Sequence, residues 1–524
     1  MNAPSPPRRW LLRALALLAG AGAALAHPPW GALPGLLGYP LLLWLADQPD
    51  LRHPLRSAFF TGWLAGLPFF FISLWWVGEA FQVDAEAQGW MAPFAVAFLS
   101  AGLALFWGGA TALYRAFAGG GVTRVLFFAG ALSAFEWLRG HVLTGLPWDL
   151  PGETWKAGTA PSQAAALVGA YGLTWITLAG VSALAVIREG RRGLAVVVAG
   201  ALAIAALYGY GLHRLAGAAP ISPTAPIVRV VQADVRQESK YDEAIFQSIV
   251  ERYVALTRRP GRADIVIWPE GAIPAALDDY LSPQAWTHDA IASALRPGQT
   301  LIVGGYRLQA GAGRMRAYNS LVTVRRDVAR LTPTALYDKH RLVPFGEFIP
   351  LDSLIAPLGL KQMVHVGDGF DPGPPPRPIA PPGVPPLQPL ICYESLFPGF
   401  TREGARASGV TPAWIVNVSN DAWFGRTSGP WQHLNIASYR AIEEGIPMVR
   451  ATPTGVSAVI DAYGRVRRGQ QLGQGVFGVI DAPLPPPAAT TPYRSWGELP
   501  FVLMLLFSLV GARSQRRATL RRNG

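Results

Sequence analysis

Long apolar segments constrain this chain more than any other feature of its sequence. Eight segments stand out, at residues 10–26, 30–46, 58–77, 90–114, 125–143, 163–187, 193–212 and 497–512. A helix needs about 20 residues to cross about 30 Å of hydrocarbon, and most of these segments approach that length. Only 15% of the residues are charged, whereas soluble domains have about a quarter. The sequence therefore predicts a polytopic α-helical membrane bundle of about eight spans.

The charges between the apolar segments predict how the chain crosses the membrane. Five alternate loops or ends are basic, and they contain Arg8, Arg9, Arg13, Arg52, Arg56, Arg115, Arg124, Arg188, Arg191, Arg192, Arg513, Arg516, Arg517, Arg521 and Arg522. The intervening loops contain acidic residues such as Glu79 and Asp149. Because basic loops stay in the cytoplasm, we predict seven spans in residues 1–213, an outer domain in 214–495, and a last span with a basic cytoplasmic tail in 496–524.

Two other interpretations of the basic residues were considered. The net charge of +12 is compatible with nucleic-acid binding. However, the arginines lie largely at the edges of apolar segments and form no basic helix, so we expect no nucleic-acid partner. The first segment also fits a cleavable signal peptide, since a basic head and an apolar stretch precede Ala24-Leu25-Ala26. Cleavage would remove one span without changing the side on which residues 214–495 lie.

The sequence changes character from residue 226 onwards. Short β-rich runs are found at residues 226–235, 263–274, 300–308, 320–327, 387–394, 413–421, 457–464 and 475–482. Helix-like stretches lie between several of them, at 242–257, 283–295, 398–408 and 431–444. Apolar strands that alternate with helices predict an α/β domain whose sheet is covered on at least one face. The proline-rich segment 371–389 predicts a surface loop.

Cys392 is the only cysteine in the 524 residues, within PLICYESLFPGF. A single cysteine forms no intrachain disulfide, so it is a buried spectator, an intermolecular link or a nucleophile. It lies where a predicted strand ends and a helix begins. Backbone N–H groups at such a position favour a thiolate and can hold an oxyanion.

Two further residues occupy similar strand ends. Glu270 follows the run IVIWP and can act as a general base, although a solvated turn glutamate is the plainer interpretation of this residue taken alone. Lys339 is one of only four lysines among 45 basic residues. Where arginine is the usual cation, a retained lysine suggests a compact ammonium beside a reacting centre. A base, a cation and a thiol form a complete acyl-transfer set.

Metal and cofactor chemistry finds no support in the sequence. The eight histidines are scattered, and no HExxH or CxxC motif is present. The glycine-rich stretch at residues 118–124 lacks the pattern of a phosphate-binding loop. We therefore expect no metal and no cofactor.

The motifs around these residues are similar to those of a known family. IWPEGAIP, YDKHRLVPFGEFIP, ICYES and NDAWFGRTSGPWQH resemble the nitrilase superfamily, whose α/β/β/α sandwich carries a Glu–Lys–Cys triad. The order of bundle, nitrilase-like domain and last span, together with SAFEWLRGHVLTGLPW at 133–148, resembles the bacterial apolipoprotein N-acyltransferase family. The resemblance covers essentially the whole chain.

The resemblance implies a role for individual residues. Glu270 would be the general base, Lys339 would stabilise the oxyanion, and Cys392 would be the nucleophile. Glu347 would orient the lysine or assist proton movement. The remaining matches are residues that would shape the site, namely Asn319, Tyr393 and Glu394.

The implied reaction is a ping-pong acyl transfer in the bacterial inner membrane, with the catalytic domain on the periplasmic side. Cys392 would take an acyl chain from a phospholipid, expected to be phosphatidylethanolamine, and pass it to the amine of a diacylglyceryl apolipoprotein. Four aromatic residues are substrate-binding candidates: Tyr241, Trp423, Phe424 and Trp431. Tyr241 and Gly271 depart from the family, which has tryptophan and often serine there. We expect a monomer.

Two other functions were weighed against this one. A membrane-tethered hydrolase would use water as the second nucleophile, and the triad alone does not exclude it. Eight spans argue against it, since an anchor needs only one. A transporter or receptor with an inactive outer domain would have paired charges inside its bundle. Glu136 and Arg139 lie near the end of the fifth segment, but no series of such charges follows.

Overall fold

The computed structural model describes residues 9–48, 52–117, 121–238, 240, 243–311, 313–328, 330–350 and 369–509. The chain divides into two compact units. The first contains Met1–Gly217, Trp431–Tyr439 and Thr491–Gly524, and the second contains Ala218–Pro430 and Arg440–Thr490. The domain boundaries at residues 214 and 496 stay a prediction.

The first unit is helical. Each of the eight apolar segments contains a helix, and these helices are Arg9–Leu25, Gly38–Ala46, Pro54–Leu74, Ala92–Phe117, Arg124–His141, Ala165–Ser182, Gly190–Ala216 and Leu499–Leu509. Four described helical stretches are long and apolar enough to cross a membrane: Pro54–Gln82, Ala85–Phe117, Pro161–Val186 and Gly190–Ala216. The helical region is thus consistent with the predicted membrane bundle.

Small residues let these helices approach one another closely. A Cβ atom added at Gly62 would clash with the carbonyl oxygen of Trp107 on the neighbouring helix. One added at Gly20 would clash with the carbonyl oxygen of Ala65 in the same way. Helices that associate in lipid gain their stability from such close contact, because the surrounding hydrocarbon supplies no hydrophobic drive. The glycines are therefore part of the packing of this unit.

The described residues of the second unit form eleven strands in two sheets. In chain order the strands are β1 (Ile227–Gln232), β2 (Ile265–Trp268), β3 (Thr300–Ala310), β4 (Met315–Arg326), β5 (Leu331–Asp338), β6 (Leu387–Ile391), β7 (Trp414–Val418), β8 (Met448–Ala451), β9 (Ser457–Ile460), β10 (Val466–Leu472) and β11 (Gly478–Pro483). The first sheet has the order β11-β1-β2-β3-β4-β5 and the second β10-β9-β8-β7-β6. Strands β1, β2 and β3 are parallel neighbours, as are β6, β7 and β8.

Alternate residues of the strands build two cores. One core contains Val230, Ile267 and Ile302 of the first sheet together with Val416 and Val449 of the second, so the two sheets pack face to face. The next residues along the first sheet face the opposite way and pack on the helices Glu243–Thr257 and Trp286–Ala294. The helices Phe400–Ser408 and Gly429–Glu444 connect the parallel strands of the second sheet. The predicted nitrilase-like sandwich is confirmed.

The structure refines the predicted elements. Each of the eight predicted strands overlaps an observed strand, and the four predicted helices are present. Three strands were not predicted, namely β5, β8 and β10. Of the candidate site residues, Tyr241 lies outside the described residues.

Candidate active site

Glu270 is positioned by the end of a buried strand. Strand β2 is fully buried, and the chain then turns through Pro269. The turn lies close to β3, since a Cβ atom at Gly304 would be 2.7 Å from the Cα atom of Glu270. The Oε1 atom of Glu270 accepts a hydrogen bond from Nδ2 of Asn319 on β4 at 2.6 Å. Its Oε2 atom has no hydrogen-bond partner among the described residues and is therefore free to accept a proton.

Lys339 follows directly after β5 and is almost completely buried, at 1% exposure. Its backbone N–H donates to the carbonyl oxygen of Asn319 at 2.8 Å. Its ammonium lies 2.8 Å from Oε1 of Glu347 and 3.6 Å from Oε1 of Glu270. Burial lowers the pKa of Lys339, but attraction to Glu347 and Glu270 outweighs it, so the pKa lies above its ordinary value. The lysine is therefore held as a cation.

Glu347 is fixed within its own turn. Its Oε2 atom accepts a hydrogen bond from the backbone N–H of Val343 at 2.8 Å, and its own N–H donates to the carbonyl of Val343 at 2.9 Å. Its Oε1 atom also accepts from Nδ2 of Asn319 at 2.6 Å. One amide thus joins the two carboxylates that flank Lys339.

Cys392 occupies a strained turn at the end of β6. Its φ angle is +47°, a left-handed conformation that non-glycine residues rarely adopt. The residue opens a 3-10 turn, Cys392–Leu396, and is half-buried. Strain of this kind persists only where the surroundings enforce it, and it recurs at active sites.

The thiol is protonated at rest. Burial, and then repulsion from Glu270, raise the pKa of Cys392 to about 12, although the Lys339 ammonium opposes the shift. The sequence position suggested a thiolate favoured by backbone N–H groups. Instead, burial and the nearby carboxylate dominate, so a base would have to remove the proton before this sulfur could act as a nucleophile.

Glu394 fixes the turn of Cys392 to the segment that follows β5. This carboxylate is fully buried and accepts hydrogen bonds from the N–H groups of Ile391 and His340, each at 2.8 Å. It also accepts from the hydroxyl of Tyr337 at 2.8 Å. Burial raises its pKa even though these donors favour the carboxylate. Tyr393, the neighbour of Glu394, is 8% exposed and packs edge-on against Phe397.

Five of the predicted residues are joined directly in the described structure. Contacts and charge interactions bring together Glu270, Asn319, Lys339, Glu347 and Cys392. The aromatic candidates Trp423 and Phe424 are half-buried in the 3-10 turn Asp421–Phe424 of the second unit. Trp431 is also half-buried, but it belongs to the first unit.

Two residues near the site were not predicted. The Ser419 side chain hydrogen-bonds the Cys392 thiol, which lowers its pKa. Lys240 is buried, and its ammonium lies against Gly271, next to Glu270. Ser419 follows β7 in the way that Cys392 follows β6, so its strand-end position was a usable signal. The scarcity of lysine, which singled out Lys339, applied equally to Lys240.

Metal ligation is not suggested by the described part of the chain. Within it, no group of three or more histidine, cysteine, aspartate or glutamate side chains is gathered as metal ligands. The chemistry of the site therefore has to be derived from its carboxylates, its ammonium and its thiol.

Comparison with known proteins identifies two regions of the chain. Residues 227–491 match the carbon-nitrogen hydrolase family, and residues 19–184 match the apolipoprotein N-acyltransferase N-terminal domain. Among solved structures, an amidase from Nesterenkonia sp. is similar, with 19% identity, 51% of this chain and 93% of that chain covered, and a TM-score of 0.33.

Full-length relatives share both regions. The apolipoprotein N-acyltransferase of Caulobacter vibrioides is 55% identical, with 97% of this chain and 95% of the relative covered. That of Rhodopseudomonas palustris is 38% identical, over 95% of this chain and 94% of the relative. On this evidence the chain belongs to the apolipoprotein N-acyltransferase family of acyltransferases.

Proposed function

We propose that this protein transfers a fatty acyl chain from a membrane phospholipid, through a thioester on Cys392, to the N-terminal amine of S-diacylglyceryl-cysteine in apolipoproteins. The product is a triacylated lipoprotein. The observation that best supports this is a buried base and a buried cation that interact with a half-buried thiol, within a chain of this family.

In the first half-reaction the thiol becomes a thioester. Oε2 of Glu270 takes the proton of Cys392, and the sulfur attacks the carbonyl carbon of the phospholipid ester. The ammonium of Lys339 stabilises the oxyanion of the tetrahedral intermediate. When this intermediate collapses, the carbon–oxygen ester bond breaks. The proton on Glu270 passes to the departing oxygen, which releases a lysophospholipid.

In the second half-reaction an amine replaces the lysophospholipid. The α-amine of the acceptor attacks the thioester carbon, and Glu270 takes a proton from the nitrogen. Lys339 again stabilises the oxyanion. The carbon–sulfur bond then breaks, and the proton held by Glu270 returns to the sulfur. The products are an amide and the resting thiol.

The raised thiol pKa supports assigning the base to Glu270. A thiol with a pKa of about 12 is almost fully protonated near neutral pH, so proton removal has to be coupled to attack. Glu347 and Asn319 would hold Lys339 and Glu270 at working distance, and Glu394 and Tyr393 would hold the turn of Cys392. None of these steps requires a cofactor.

The membrane supplies both substrates in this proposal. The bilayer of the inner membrane is therefore a partner, and the basic loops of the sequence favour a periplasmic catalytic domain. We infer phosphatidylethanolamine, deacylated at its sn-1 position, as the donor. The aromatic residues that would contact the acyl chains are Tyr241, Trp423, Phe424 and Trp431. The protein would act as a monomer.

A two-substrate assay tests this function. Purified protein in phospholipid micelles would be given a donor labelled in its sn-1 chain and a diacylglyceryl-cysteine peptide. We expect the label in an amide on the peptide, stable to neutral hydroxylamine, and none of it with Cys392→Ala. Release of the label as free fatty acid, with an unmodified peptide, would support the tethered hydrolase instead.

A further inference from the structure

Two buried side-chain amides lie beside the candidate site. Gln237 belongs to the turn at residues 233–238, which follows β1, and Asn420 lies just after β7. The two residues are 2% and 8% exposed. Nδ2 of Asn420 donates to Oε1 of Gln237 at 3.0 Å, and this hydrogen bond joins the two segments. We call these two residues the amide pair.

The amide pair keeps one donor and one acceptor without a partner. Nε2 of Gln237 and Oδ1 of Asn420 are buried, and neither has a hydrogen-bond partner among the described residues. Turning both amides over would not change this, because one hydrogen bond between two amides always leaves one nitrogen and one oxygen. An unpaired buried donor or acceptor costs free energy, and a ligand that supplies the missing partners would recover it.

The amide pair lies at the edge of the sandwich that holds the reacting groups. Strand β1 runs parallel to β2, whose end carries Glu270, and β7 runs parallel to β6, whose end carries Cys392. Because the carboxyl ends of parallel strands meet at one edge of a sheet, the segments after these four strands are neighbours. Asn420 is also adjacent in sequence to Ser419, whose side chain hydrogen-bonds the Cys392 thiol. The unpaired atoms are therefore close to where the thioester would form.

The turn that carries Gln237 has the character of a binding segment. Asp234 within it has a φ angle of +49°, a conformation that residues other than glycine rarely adopt and that recurs at ligand sites. The turn is tied to the segment after β8 by a long hydrogen bond, 3.4 Å from the nitrogen of Val235 to the carbonyl oxygen of Pro453. A contact of this length is weak. A small outward movement of the turn, which would uncover the unpaired atoms, therefore costs little.

We propose that the amide pair binds the first residue of the acceptor, an inference that rests on the proposed function because it concerns how the second substrate is recognised. Oδ1 of Asn420 accepts a hydrogen bond from the attacking α-amine, and Nε2 of Gln237 donates to the carbonyl oxygen of the first peptide bond. The nitrogen and the carbonyl of one residue point to the same side of an extended chain, so one pair can contact both. The amine is thereby held at the thioester on Cys392.

An uncharged acceptor suits the attacking amine. The amine reacts through its lone pair and has to be neutral, whereas an ordinary α-amine has a pKa of about 8. A carboxylate beside it would favour the ammonium form. Oδ1 of Asn420 accepts from one N–H without adding a charge, and the lone pair stays available for the thioester carbon. The phospholipid ester fits the pair less well, because it has a carbonyl but no N–H.

The test compares two acceptors on a preformed thioester. One is a diacylglyceryl-cysteine peptide, and the other is S-diacylglyceryl-cysteamine, which keeps the lipid and the amine but lacks the peptide carbonyl. Discharge rates are taken per thioester and per neutral amine. We expect the wild type to prefer the peptide about 30-fold, because the cysteamine compound leaves Nε2 of Gln237 unpaired. A wild type without this preference would overturn the inference before any variant is made.

Three variants assign the preference to the amide pair. Gln237→Met should slow discharge by the peptide about 30-fold and by the cysteamine compound less than threefold. Gln237→Glu should also lose the preference, although it keeps an oxygen to accept from Asn420. Asn420→Leu should slow both acceptors, since both carry the amine. Gln247→Met removes an exposed amide, paired with Glu251 at 2.8 Å, and serves as the matched control.

The contrary outcomes are distinct. Gln237 variants that slow both acceptors equally would overturn the inference and would indicate a structural role for the amide pair. Gln237 variants that keep the preference for the peptide, or an Asn420→Leu that discharges both acceptors at the wild-type rate, would also overturn it. Absence of any thioester in the wild type would instead overturn the proposed function on which the inference rests.

Discussion

Each unit of this protein buries a carboxylate beside a cation, but the two clusters differ in what surrounds them. In the helical unit, Glu136 and Arg139 are fully buried and paired with each other. Trp107 donates to Oε1 of Glu136 at 2.6 Å, and Arg139 donates to the carbonyls of Leu146 and Trp148. Each carboxylate oxygen of Glu136 and each guanidinium nitrogen of Arg139 has a hydrogen-bond partner, and we call such a cluster closed.

The cluster in the α/β unit is open by comparison. Glu270 keeps one carboxylate oxygen without a hydrogen-bond partner among the described residues, and the half-buried thiol of Cys392 lies within its electrostatic reach. Its cation is also different, because a lysine makes a compact charge where arginine makes a fork of five donors. Arginine suits a pair that holds helices and loops in place. Lysine suits a site where a compact positive charge has to stabilise an oxyanion that forms during a reaction.

The largest effect on acyl transfer should follow from replacing the carboxylate oxygen of Glu270 that has no hydrogen-bond partner among the described residues. Glu270→Gln keeps the size of the side chain and the hydrogen bond with Asn319, but it cannot accept the thiol proton. We expect acyl transfer to fall about 10³-fold, the usual scale for loss of a general base. Initial rates per folded molecule measure the loss, which keeps it separate from the stability that is lost when the buried Lys339 and Lys240 lose a counter-charge. Near-normal acyl transfer would contradict the comparison between the two clusters, because Glu270 would then have only a structural role, as Glu136 does.

The matched change in the helical unit should have the opposite outcome. Glu136→Gln leaves Arg139 buried without its counter-charge, which costs about 3 kcal/mol of stability. Thermal unfolding in detergent should show a clear decrease, while the rate per folded molecule stays close to wild type. Adding Arg139→Gln to this variant should recover part of the stability. A Glu136→Gln variant that is stable but inactive would contradict this expectation, because it would mean that the helical unit contributes to catalysis.

Replacing Glu394 should lower both the stability and the rate of acyl transfer, each by less than in the two variants above. In Glu394→Gln, an amide NH₂ group replaces one carboxylate oxygen. This NH₂ group then faces the backbone N–H of Ile391 or of His340, which is also a donor. We expect about 2 kcal/mol lower stability from the unpaired donors. The maximal rate should fall about tenfold with little change in KM, because the turn of Cys392 moves without altering substrate binding. A raised KM with an unchanged maximal rate would contradict this role.

The smallest expected effect concerns the ionisation of the thiol. Because the pKa of Cys392 is raised to about 12, alkylation by iodoacetamide should rise about tenfold per pH unit from pH 7 to 9.5, with no plateau. Glu270→Gln removes a repelling charge, so it should speed alkylation several-fold even as it slows acyl transfer. Cys392→Ala gives the background. A plateau below pH 8 would mean that the resting group is a thiolate.

The sequence predicted the strands that overlap recognisable apolar runs and missed three that do not form such runs. Strands β5 and β10 lie at the ends of their sheets, and most of their side chains are partly or fully exposed, so neither forms an apolar run. Strand β8 has only four residues and includes Arg450, which is buried because it pairs with Asp421. A pairing across 29 positions cannot be inferred from local pattern.

The same limit applies to the site. Glu270, Lys339 and Cys392 were singled out because each lies at or just after the end of a strand and in a recognisable motif, and their catalytic roles stay a prediction. The contact of Lys240 with the turn of Gly271 depends on the path of the chain between two strands, which no spacing rule supplies. The raised thiol pKa likewise required the burial and the carboxylate that the folded chain brings to Cys392.

The most direct test of this account is the intact mass of the protein after incubation with phospholipid alone. We predict a single adduct of one fatty acyl group on the wild type, removed by neutral hydroxylamine and absent from Cys392→Ala and strongly reduced in Glu270→Gln. Addition of a diacylglyceryl-cysteine peptide should then discharge the adduct as the peptide gains the same mass. An unmodified wild type that nevertheless acylates the peptide, or an adduct that persists in Cys392→Ala, would contradict the central role of the open cluster.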